Sequence, residues 1–177
     1  MVAALPLRST AASQADALAT QTALLVADGS CPKIRELLAE ALVPVLWLEA
    51  GQSALSTVTA ALAERRRQGH PVQTLHWVSH GRPGVLLAGD AEITRGTLIQ
   101  QRAELASWDI QNLALWSCRY GADATALSLW EEYTGASAYA TKSALGQLDN
   151  GEQCWQISHT QTTPTGPISI PVKTPIN

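Results

Sequence analysis

Charge is scarce in this chain. Asp, Glu, Lys and Arg make up only 15% of the residues and leave a net charge of -3. A surface so sparsely and slightly negatively charged speaks against nucleic acid or an anionic membrane face as the main partner. The only dense basic run, Arg65-Arg66-Arg67, falls at a predicted helix end, where cations suit the helix macrodipole. Cysteine is sparse as well. Cys31, Cys118 and Cys154 are an odd set, which excludes a disulfide framework, and no spacing in the chain suggests zinc. No metal and no cofactor are therefore expected. No apolar run approaches the ~20 residues of a membrane span. The first residues, Met1 to Arg8, lack a basic region ahead of their short apolar run and make a poor signal peptide. A soluble protein in a reducing, cytoplasmic compartment is the default expectation, with export by a route that leaves no cleavable signal still open. Internal repeats are absent. Apolar residues are not lacking: they form 46% of 177 residues, too many for a disordered chain and enough for the core of one domain.

In chain order, residues 1–20 are Ala-, Ser- and Thr-rich with little pattern and read as a loose arm. A compact domain then spans 21–159. Thr22 to Ala27 is an apolar strand ending at Asp28-Gly29, and Ser30 is placed to cap a helix with Pro32 in its first turn. Val43 to Leu48 is a second strand, with Pro44 near its start suiting an edge or strand-entry position. A helix follows from about Ser53 to Gln68, stopped by Gly69. Val72 to Ser79 is the third strand. Val85 to Ile93 reads as a hairpin turning at Gly89-Asp90, and Thr94 caps a helix reaching Trp108. Gln111 to Trp116 is the fourth strand, then come a helix ending near Tyr133, a short strand at Ala136 to Ala140, a polar loop, and a last strand at Gln153 to Ser158. Residues 160–177 are Thr- and Pro-rich and read as a linker or extended tail.

Strands that are nearly continuous apolar runs, alternating with helices, mark an α/β fold with a mostly parallel sheet covered on both faces. Right-handed crossovers put every strand's C-terminal end on one edge, where ligands bind. Asp28, His80 and Cys118 all fall at such ends. A histidine beside a thiol can take its proton, and can later give that proton to a leaving amine. Backbone N–H groups at Gly81 and Cys118 are natural oxyanion donors. His76, inside the third strand, reads as a packed structural histidine, and His70 and His159 as solvated ones. The loop after the first strand lacks the Gly and Ser/Thr richness of a phosphate cradle, which sets an FMN or nucleotide binder aside.

Val78-Ser79-His80-Gly81, the hairpin and helix that follow, and Leu115-Trp116-Ser117-Cys118 with Gly121-Ala122 resemble the caspase-like cysteine peptidases of clan CD. The similarity is greatest to the CHAT-like group, and in particular to the uncharacterised caspase-like domain near the N-terminus of large bacterial repeat and adhesin-type proteins. It covers roughly residues 22–158. The resemblance implies a three-layer caspase-like sandwich acting on a peptide or protein. His80 would be general base and acid, Cys118 the nucleophile, and the Gly81 and Cys118 N–H groups the oxyanion hole. Asp28 matches an acid that lines the primary specificity pocket in members that cut after basic residues; a helix N-cap is its plainer alternative. Two departures stand out. Ser117 replaces a common Gly, and Arg119 replaces a common acid, where a cation would either oppose a basic substrate or hold the thiolate down in pKa. Lys142 and Lys173 would be candidate self-processing sites.

A non-catalytic adaptor or sorting module on the same sheet, tethered by the tail, is the competing expectation. Cys31 is a possible modulator: with its Cα within about 7 Å of that of Cys118, oxidation would pair the two. The oligomeric state is not legible in the sequence.

Overall fold

The computed structural model describes residues 22–145, 160–163 and 166–172, the side chains of 160–169 excepted. The arm, Cys154, the strand expected at 153–158 and Lys173 lie outside the described residues.

Five parallel strands form the main sheet: β1 (Ala23–Asp28), β2 (Val45–Leu48), β3 (Thr74–Val78), β7 (Asn112–Trp116) and β8 (Ser137–Ala140), in the order β2-β1-β3-β7-β8. Their β-branched and leucine-rich runs carry no polar alternation, as burial on both faces requires. Pro44 precedes β2, which is an edge strand, so its missing N–H costs no ladder bond. Between β3 and β7 a small antiparallel sheet, β4 (Gly81–Arg82), β5 (Val85–Ala88) and β6 (Ala91–Ile93), turns at Gly89-Asp90. The helices are α1 (Pro32–Leu37, continued by a 3-10 turn to Glu40), α2 (Ala54–Arg67), α3 (Arg95–Gln100), α4 (Arg102–Leu105) and α5 (Ala124–Thr134). The helix expected from Thr94 to Trp108 is thus broken at Gln101. Thr94 does cap it, in a reciprocal pair with Thr97. Ser30 does not cap α1: its hydroxyl donates to Asp28 instead, and Cys31 stands at the cap position.

The strand order reverses direction once, between β1 and β3. By the right-handed crossover rule, the connection leading away to β2 lies on one face and all later ones on the other. Two apolar clusters show this division. Leu24, Val26, Leu75, Trp77, Leu113 and Leu115 point to the face carrying α2 to α5. Leu25, Ala27, Val78, Ala114 and Trp116 point to the face that, among the described residues, carries α1 and its 3-10 turn. That thinner face is completed by Leu145 and by the C-terminal segment. Strands β9 (Thr160–Thr163) and β10 (Gly166–Ser169) pair antiparallel, Ile170 is buried in the second cluster, and Val172 bridges Ala41. The stretch from 160 to 172 is therefore not a free tail. Its β-branched and Pro-rich composition suits a strand hairpin as well as it suits a linker.

Among the described residues no helix is long and apolar enough to cross a membrane.

Candidate functional site

The site is set by register. Ala27 pairs with Val78, and Val78 with Trp116. His80 and Cys118 each lie two residues beyond that level, at the ends of adjacent strands ~4.8 Å apart. Val78 and Trp116 both face the α1 side, and Cys31 and Cys118 pack against the same α1-side cluster. The constellation thus occupies the C-terminal edge of the sheet on its α1 side, with His80 next to the strand-order reversal between β1 and β3 and Cys118 one strand further on.

His80 is half-buried, and its Nε2 lies 3.3 Å from Cys31 Sγ. Its carbonyl accepts from Leu87 N at 2.9 Å and from Ser79 Oγ at 3.0 Å, which ties the histidine to the small sheet. Cys118, also half-buried, is bracketed by one residue: Leu145 N donates to its Sγ at 3.3 Å, and its thiol donates to Leu145 O at 3.6 Å. Residues 141–145 run alongside 119–121, through Arg119 N to Ser143 O and Gly121 N to Thr141 O. Cys31 and Cys118 are free thiols, the first turned to His80 and the second held by Leu145. Arg119 is exposed with φ at 57°, and Lys142 is exposed in the covering segment.

Gly81 is glycine for a reason that needs no substrate. A Cβ there would overlap Ser117 Oγ and the Val85 carbonyl oxygen. Ser117 fills the space that Gly81 leaves open. It is fully buried, and its Oγ has no hydrogen-bond partner among the described residues.

Asp28 is not a helix cap. It is buried, and its Oδ1 accepts from Ser30 N at 3.0 Å, Ser30 Oγ at 2.6 Å and Gly89 N at 3.2 Å. The carboxylate therefore knots the β1–α1 loop to the tip of the β5–β6 hairpin.

His76 is structural. Trp116 Nε1 donates to its Nδ1 at 3.1 Å, the two rings stack, and burial lowers its pKa from 6.5 to about 4. Burial likewise raises the Tyr120 phenol above its ordinary value, while its oxygen accepts from Trp130 Nε1 at 2.7 Å. His70 is exposed. Among the described residues no three His, Cys, Asp or Glu side chains gather as a metal set.

Three parts of this geometry were not legible in the sequence: the Cys31–His80 contact, the Leu145 cover and the Ser117–Gly81 fit. Each joins residues distant along the chain. The one local signal was Cys31 itself, a residue of poor capping power at a helix start.

A family model described as Domain of unknown function (DUF4347) matches residues 24–174. The chain belongs to the DUF4347 family. The match runs past β10, in keeping with a family domain that includes the C-terminal hairpin. The comparisons with curated proteins and with solved structures gave no match.

Proposed function

We propose that this DUF4347 domain is a cysteine endopeptidase of caspase-like chemistry, acting on itself or on a partner protein. The observation that carries it is the equal height of His80 and Cys118 on adjacent strand ends. His80 takes the Cys118 thiol proton, and the thiolate attacks the peptide carbonyl. The oxyanion meets the Cys118 and Gly81 N–H groups. The C–N bond breaks, and the proton passes from His80 to the leaving amine. Water, deprotonated by His80, then hydrolyses the thioester and restores the thiol. Asp28, a buried carboxylate at the end of β1 on the same sheet edge, supports a preference for Lys or Arg before the cut bond.

A peptidyl-lysine chloromethyl ketone tests this. It should alkylate wild-type Cys118, fail with Cys118→Ala, and slow at least ~100-fold with His80→Ala. Equal labelling of wild type and Cys118→Ala would refute the reading.

One observation favours the second reading, a non-catalytic module. Leu145 engages the Cys118 sulfur from both its N–H and its carbonyl. A thiol that stays covered when substrate-like peptides are offered would act as packing only.

A further inference from the structure

We propose that Cys31 is a positioning residue that orients His80 for Cys118, an inference that rests on the peptidase reading above. A histidine that serves as base with one ring nitrogen works well only when the other nitrogen is held, because that hold decides the tautomer and the ring plane. In this chain the group at Nε2 is the Cys31 sulfur, at 3.3 Å. With Nε2–H donating to that sulfur, Nδ1 carries the lone pair and is the nitrogen that serves Cys118. When the Cys118 proton moves to Nδ1, the Nε2–H bond to sulfur persists. No bond to Cys31 forms or breaks, and its sulfur remains a neutral acceptor.

The local structure around Cys31 supports this use. Cys31 is the residue before α1, with extended backbone at φ -99° and ψ 110°, and its carbonyl accepts from Ile34 N and Arg35 N. Its main chain is thus fixed. This is a position where Ser, Thr, Asp or Asn would cap the helix, yet the Cys31 side chain makes no capping bond. The neighbouring Ser30 hydroxyl is committed to Asp28. A helix start that forgoes its cap breaks a local rule, and such breaks mark residues used for something else. Here the thiol turns away from the helix to the histidine. Its packing against the cluster that also borders Cys118 keeps the two sulfurs on one face of the sheet.

The test uses the full chain in wild-type form and with Cys31→Ala, Cys31→Val, Cys31→Ser and Cys118→Ala. Cys31→Val keeps the packing without an acceptor, and so covers the case in which Cys31→Ala unfolds. Imidazole nitrogen-15 NMR, with the His80 signals assigned through His80→Gln, reads the tautomer without requiring activity. The wild type should show the Nε2–H form; Cys31→Ala and Cys31→Val should lose that preference, and Cys31→Ser should keep it. Labelling of Cys118 by the lysine chloromethyl ketone should slow about tenfold in the two apolar variants through the alkylation step rather than binding, and recover in Cys31→Ser. An unchanged tautomer and rate in Cys31→Ala and Cys31→Val would overturn the inference and leave Cys118 chemistry standing. An adduct mapped to Cys31 in the wild type would overturn it too, by making Cys31 the nucleophile. A tautomer shift with no labelling of any wild-type thiol would sink the peptidase reading and keep the orienting contact.

Discussion

Single residues at the sheet edge are held by fits that have separable costs. Ser117 Oγ is buried without a partner among the described residues, and an unsatisfied buried hydroxyl costs about 1–3 kcal/mol. Ser117→Ala should therefore raise the urea-unfolding free energy, by about 1 kcal/mol. Gly81→Ala should lower it by about 2 kcal/mol through overlap with Ser117 and the Val85 carbonyl. Ser117→Gly in the same chain should recover part of that loss, because the two residues share one space. His76 gives a pH signature. Folded, it stays neutral down to about 4; unfolded, it takes a proton near 6.5. The unfolded state binds more protons between those values, so stability falls as pH drops through that window, by about 3 kcal/mol, and this group adds no slope above it. His76→Asn keeps an acceptor for Trp116 and should lose that part of the slope when unfolding is measured from pH 7 down to pH 4.

Among the elements, the short ones matter most to the site. The segment 141–145 is held by backbone bonds to Arg119 and Gly121 and by the buried Leu145 side chain. Leu145→Ala removes the apolar anchor and leaves the thiol less covered. Iodoacetamide modification of Cys118, followed by peptide mass spectrometry, should then run several-fold faster than in the wild type. An unchanged rate would mean that the backbone bonds alone hold the cover. Helix α5 is bounded as its sequence implies: Asp123 Oδ1 accepts from Ala126 N at 3.0 Å, and Gly135 ends the helix at φ 70°. The Gly135 stop was legible because it is a local backbone preference. The break at Gln101 was not, and nothing in the structure explains it.

Among the described residues, four helices cover one face of the sheet, while the other carries one short helix together with Leu145 and the C-terminal segment. Ile170, at 5% exposure, is a core residue on this account. Ile170→Ala should cost about 2–4 kcal/mol in urea unfolding, as buried large-to-small changes do. A loose tail would give a change near zero. The candidate site lies on the thin face, so unfolding of the C-terminal segment and exposure of Cys118 should be coupled. Faster Cys118 alkylation in Ile170→Ala under native conditions would show it.

The sequence by itself determined the elements and the edge. Apolar strand runs, capping residues and right-handed crossovers depend on near neighbours and handedness, and they placed Asp28, His80 and Cys118 at strand ends on one side of the sheet. They also made the small hairpin and the edge position of β2 readable. Tertiary structure alone decided the partners. Periodicity says which residues end at the crevice, but not which of two thiols meets the imidazole, because that contact closes over 49 positions of chain through the path of the β1–α1 loop. It likewise decided that Asp28 knots a loop to a hairpin, that Ser117 explains Gly81, and that residues read as a linker complete the core. Composition cannot distinguish a segment that packs on the sheet from a free tail; the burial of Ile170 in the second apolar cluster does.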